Sequence, residues 1–131
     1  MAPLAGIIAD PAVAASETWL ARRAERERLC LRWQQIEKAA FARHDWPKLN
    51  RTQRARHREQ LEMDALDDEM DSLDGQNEAL LASLPLIAAT TYHGICGKLA
   101  VAALEACPED HPELHHLIAS ILRDYRALNG D

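Results

Sequence analysis

Histidine and cysteine gather in the last third of this chain, at His93, Cys96, Cys107, His111, His115 and His116. On a helix, His93 shares a face with Cys96 three residues on, and His111 with His115 four residues on. Such pairs suit capture of a borderline transition metal from one side. Neither zinc-finger spacing nor an HExxH pattern accompanies them, and Pro112 disturbs the register at His111. Spacing therefore assigns Cys96 and Cys107 to packing and His111, His115 and His116 to a solvated first turn, with no metal and no other cofactor expected. Catalytic patterns are missing too: there is no glycine-rich phosphate loop, no nucleophile elbow and no ordered Ser, His and acid set. The carboxylates fall in a helical charge run, which reads as a solvated face rather than a tuned acid and base pair. The chain is not expected to be an enzyme.

Charge offers the other chemistry. In RTQRARHREQLEMDALDDEMDSLDGQNEALLASL, residues 51–84, the stretch before Glu59 is basic, whereas Glu59 to Glu78 holds nine acids and no Lys or Arg. Arg43, Lys48, Arg51, Arg54, Arg56 and Arg58 against Asp45 give a local charge of +5, with Phe41, Trp46 and Leu49 among them. Rings interleaved with arginines can stack bases while guanidinium groups hold phosphates. The competing reading has Phe41, Trp46 and Leu49 sealing a turn while the arginines are solvated. Arg43, Trp46, Lys48, Arg51, Arg54 and Arg58 are thus the candidate basic partner-binding set. Asp64, Asp67, Asp68 and Asp71 are the candidate acidic one, unless arginines of the preceding helix neutralise them.

Four helices are needed to position these groups, over about residues 11–43, 48–84, 91–106 and 111–128. Asp10 is the expected cap of the first, with Ser16 as a competing cap, and Pro11 opens it, since proline at the first helical position loses no hydrogen bond. Met63, Leu66, Met70, Leu73, Asn77, Leu80 and Leu84 follow at spacings of three and four, a coiled-coil-type seam that keeps its phase through Gly75. One unbroken helix is therefore expected from Arg51 to Leu84. A reversal at His44-Asp45-Trp46-Pro47 would set opposite each other residues whose numbers total about 94. Trp33 would then face Leu61; Arg22, Arg23 and Arg26 would approach Asp71, Asp67 and Asp68; and Trp19 would fit over Gly75. Thr90 or Thr91 caps the third helix, where Tyr92, Ile95, Leu99, Ala103 and Ala106 share one face and Gly94, Gly97 and Ala100 permit close approach. Asp110 is the expected cap of the last helix. Its stripe of Leu114, Leu117, Ile118, Ile121, Leu122, Tyr125 and Leu128 ends at Asn129-Gly130.

The fold expected is all-α, a single domain over residues 1–131. A long, coiled-coil-like antiparallel hairpin and a shorter C-terminal hairpin would form an elongated bundle. Ala and Leu dominate an apolar content of 47%, aromatics are only 5%, and the net charge is −6, which argues against general adhesion to nucleic acid. Three cysteines without framework spacing point to reduced thiols in a cytoplasm. MAPLAGIIAD lacks the basic start of a signal peptide, and no window approaches the roughly 18 apolar residues of a membrane span.

Two segments carry a resemblance. TTYHGICGKL, Thr90 to Leu99, and IASILRDYRAL, Ile118 to Leu128, look like a pattern in small uncharacterised helical proteins of alphaproteobacteria, in which a Thr-Thr cap precedes a helix bearing Gly and Lys. The resemblance implies an accessory or mobile-element-associated bacterial protein and carries no activity. Together these features lead to a cytoplasmic regulatory or adaptor protein that binds another protein through helical surfaces and forms a homodimer. A phage or mobile-element inhibitor that shows its acidic face to a basic partner is one version of it. Nucleic-acid binding at the basic tip is the alternative, and no membrane partner is expected.

Overall fold

The computed structural model describes residues 10–129, so the N-terminal MAPLAGIIA and the Gly130 stop signal lie outside the described residues. Within them the protein is all-α, without a strand. Helix α1 spans Pro11–Arg43, and a 3-10 turn at Trp46–Lys48 leads to the single-turn α2, Arg51–Arg54. Then come α3 (Arg58–Ser83), a second 3-10 turn at Leu84–Leu86, α4 (Tyr92–Glu105) and α5 (Pro112–Leu128). No helix among the described residues is long and apolar enough to cross a membrane.

The expected continuous helix over 48–84 is broken at residues 55–57, for a reason local to the sequence. Asn50 and Gln53 form a reciprocal capping box, Gln53 N–H to Asn50 Oδ1 at 2.8 Å and Asn50 N–H to Gln53 Oε1 at 2.9 Å. That box starts a helix which Arg56 and His57 close, because their N–H groups reach back only three residues, to the carbonyls of Gln53 and Arg54. His57 C=O then accepts from Gln60 and Leu61 and opens α3. Arg54 holds the small turn in place by donating to the Trp46 carbonyl at 2.7 and 3.2 Å. Past the break the seam is as its spacing implies, with Met63, Met70, Asn77 and Leu84 buried and Gly75 inside the helix.

The chain divides into two compact units. Arg22–Glu78 is an antiparallel hairpin of α1 and α3 whose core is Ile36, Ala40, Trp46 and Met63, with Trp33, Leu49 and Leu66 against it. Its register differs from expectation. Arg26 pairs with Asp74 at 2.9 Å and Arg43 with Glu59 at 3.5 Å, so facing numbers total 100 to 102. The chain reverses over the whole of 44–57 instead of at Pro47, which slides α3 several residues along α1. Arg26 is therefore committed to Asp74 instead of Asp68, and Leu61, the expected partner of Trp33, is exposed.

The other unit comprises Met1–Ala21 with Ala79–Asp131, of which 10–21 and 79–129 are described. Trp19, Leu84 and Val101 are its buried centre, flanked by Ala15, Leu20, Leu80, Leu81 and Ile87. Asp10 joins two helix starts: Oδ1 accepts from Ala12 N–H at 2.9 Å, while Oδ2 accepts from Thr90 N–H at 3.0 Å, Thr91 N–H at 2.9 Å and the Thr91 hydroxyl at 2.7 Å. Thr91 in turn caps α4 by accepting from Gly94 N–H at 3.2 Å. One carboxylate therefore sits where two helices present free N–H groups and positive dipole ends. Both α4 glycines face α1, since a Cβ would collide with the Asp10 carboxylate at Gly94 and with Ser16 at Gly97.

Burial pushes the Asp10 carboxyl up, but the Thr91 hydroxyl and the N–H groups of Ala12, Thr91 and Thr90 outweigh it and hold the pKa below the ordinary value. Because the folded value is the lower one, this stabilisation is complete above the unfolded aspartate pKa of about 3.9 and is lost as pH falls through the folded value. Urea midpoints of wild type and Asp10→Asn should therefore differ most above about pH 4 and converge in stronger acid. An undiminished difference near pH 2 would contradict this account.

Helices α4 and α5 form the shorter hairpin, with Tyr92 against Tyr125 at a 5.6 Å ring separation and His115 Nδ1–H donating to the Ala103 carbonyl at 2.6 Å. Two details depart from expectation. Asp110 does not cap α5; its N–H and that of His111 both turn back to the Cys107 carbonyl, which leaves His111 at the cap position without a side-chain bond. Ile95 is exposed, because α4 turns Gly94, Cys96 and Val101 inward. On α5, Ile118, Leu122 and Tyr125 are half-buried, whereas Leu114, Leu117, Ile121 and Leu128 are exposed.

Candidate functional site

The tip of the hairpin in Arg22–Glu78 gathers most of the candidate basic set, and it is largely paired internally. Arg43 reaches Glu59 Oε2 at 3.5 Å, Lys48 reaches Asp45 at 3.3 Å, and Arg58 reaches Glu62 at 3.5 Å. Arg54 is spent on the Trp46 carbonyl and lies over the Trp46 ring, 5.1 Å from its centroid. Arg51 is exposed on the first turn of α2. With Leu49, Arg54, Ala55, Gln60 and Asp64 it lines a hollow of about 440 Å³.

Trp46 departs from the base-stacking reading. At 2% exposure it is a core residue against Ile36, Ala40 and Met63, because the 3-10 turn that begins with it folds the indole inward. Leu49 packs beside it, while Phe41 is 50% exposed and does not help to seal the turn. The aromatic surface that the sequence offered for stacking is thus reduced to Phe41.

The acidic set is in the opposite condition. Asp64, Asp67, Asp68 and Asp71 recur at three, one and three residues, so they occupy one face of α3, and all four are exposed. Asp64 accepts from Gln60 Nε2 at 2.8 Å, and among the described residues none of the four forms an ion pair with Lys or Arg. The acids paired across the hairpin are Glu59, with Arg43, and Asp74, whose two oxygens lie 2.9 and 3.1 Å from Arg26 Nε. Gly75 continues the acidic face with open space above it.

The tip also assembles a group that spacing did not suggest. His44 follows α1, His57 sits at the break between α2 and α3, and Glu59 is the second residue of α3. Their ligand atoms lie within 4.8 Å of one another. The two imidazoles lie 4.0 Å apart between centroids, tilted by 41°, and His44 Nε2 is 3.4 Å from Glu59 Oε1. Glu59 is buried, with 8% exposure. Its own backbone N–H, working against burial and helped by His44 and Arg43, holds its carboxyl below the usual glutamate range. A thirteen-residue separation between the histidines carries no helical or finger signature, so the turn that joins them had to be known first. In contrast, His93, Cys96, Cys107, His111, His115 and His116 are not brought into a common ligand set among the described residues. The three cysteines are free thiols.

Comparison of the chain with protein-family models, with curated proteins and with solved structures found no match.

Proposed function

We propose that this protein is a non-enzymatic regulatory or adaptor protein that binds another protein, and that the Asp64, Asp67, Asp68 and Asp71 face of α3 meets a basic surface on it. One observation carries the reading: these four carboxylates are exposed on a single helical face and, among the described residues, have no Lys or Arg ion pair to give up. A partner's lysines or arginines would have no existing ion pair to break, and complementary charge would raise the encounter rate and select against acidic competitors. An inhibitor of phage or mobile-element origin that imitates nucleic acid is the specific form this suggests. The exposed apolar residues of α5 favour a homodimer as its working state.

The test is capture from the native cell with untagged wild type and with a variant carrying Asp64→Asn, Asp67→Asn, Asp68→Asn and Asp71→Asn. Wild type should retain a basic protein that elutes as salt rises, and the variant should lose at least tenfold of it. Recovery of nucleic acid alone would overturn the reading in favour of Arg51 and the tip. Sedimentation equilibrium addresses the dimer, and a monomer mass independent of concentration at micromolar levels would remove it.

A further inference from the structure

The histidine and glutamate group at the hairpin tip has the composition and spacing of a divalent-metal site. We propose that His44, His57 and Glu59 bind one first-row divalent transition ion of the zinc class, tying the end of α1 to the start of α3. Two imidazoles and a carboxylate are borderline nitrogen and oxygen donors, which favour zinc and its neighbours over magnesium or calcium. Bonds of about 2.0–2.2 Å in a tetrahedral shell place ligand atoms about 3.3–3.6 Å apart. The 3.4 Å between His44 Nε2 and Glu59 Oε1 already meets that spacing. The third donor lies within 4.8 Å and needs only side-chain rotation to close the set. Burial of Glu59 keeps one ligand fixed on the rigid second position of α3, while the half-buried histidines leave an approach for the ion. Arg43 contacts the other Glu59 oxygen at 3.5 Å, but its side chain is 61% exposed and can withdraw into solvent as a cation arrives.

The decisive experiment is calorimetric titration of Zn²⁺ into EDTA-treated protein made without a histidine tag. One ion per chain is expected. Glu59→Gln and the pair His44→Gln with His57→Gln should each weaken binding at least tenfold at unchanged metal-free helix content. The triple change His111→Gln, His115→Gln and His116→Gln should leave it unaltered. Absence of binding to wild type at 100-fold excess of zinc, or loss in the C-terminal variant instead, would overturn the proposal. If a tip variant unfolds, Co²⁺ bound to wild type decides the matter. Visible ligand-field bands without a thiolate charge-transfer band are expected, and a thiolate band would assign the ion to cysteine and overturn the tip site.

Discussion

Truncation of Trp46 to alanine is expected to cost about 3–5 kcal/mol of folding stability, the usual range for removing a large aromatic side chain from a core. The indole is almost wholly buried against Ile36, Ala40 and Met63. The change would also remove the ring beneath the Arg54 guanidinium, worth roughly another 0.5–1 kcal/mol, and the edge against which His57 packs at 5.8 Å. Proteins of this size have about 5–15 kcal/mol in total, so a large share of the stability rests on one side chain. Urea unfolding would show it as a lower midpoint, and the exposed Phe41→Ala should stay within about 0.5 kcal/mol of wild type as a control on the same turn. A stable Trp46→Ala that lost affinity for single-stranded nucleic acid would reverse the account and restore the stacking role.

Valine at position 97 is the second large effect. A Cβ there would lie 2.7 Å from Ser16 Cβ and 2.8 Å from Ser16 Oγ. The obstacle is the base of a fully buried side chain on α1, not the end of a flexible one. Overpacking of this kind costs about 1–3 kcal/mol, and here two γ-methyl groups add to the crowding. Gly75→Ala supplies the contrast: the site is helical and open, so removing glycine's conformational entropy should stabilise by about 0.5–1 kcal/mol. Thermal unfolding should move in opposite directions for the two variants. A neutral Gly97→Val would mean that α1 and α4 do not approach as closely as Ser16 and Gly97 indicate.

Local patterning made the elements legible, and non-local geometry did not. Asp10 with Pro11, Thr91 before α4, and the seam from Met63 to Leu84 could each be read because caps and stripes depend on residues within a turn or two of one another. The break at 55–57 had a readable cue in Asn50-x-x-Gln53, outweighed by the steady phase of the seam beyond it. That one omission displaced the hairpin register, and the register decided which charges were paired. Arg26 found Asp74, the tip cations found Glu59, Asp45 and Glu62, and the acids expected to be neutralised remained exposed. His44, His57 and Glu59 became a group for the same reason, because their proximity is a product of how the turn closes.

The contact between Asp10 and Thr91 bears on the order in which the chain can assemble. Arg43 and Glu59 close a loop of 16 residues, whereas Asp10 and Thr91 close one of 81. A flexible loop costs about 0.6 kcal/mol more for each doubling, so the longer closure starts about 1.4 kcal/mol behind. If the hairpin closes first, it brings the two distant segments together before that cost must be met in full. On a ribosome, Asp10 emerges long before the threonines that complete its hydrogen bonds. The bond from Asp10 to Ala12 can form at once, but the ties from the same carboxylate to the start of α4 are among the last interactions the new chain can make.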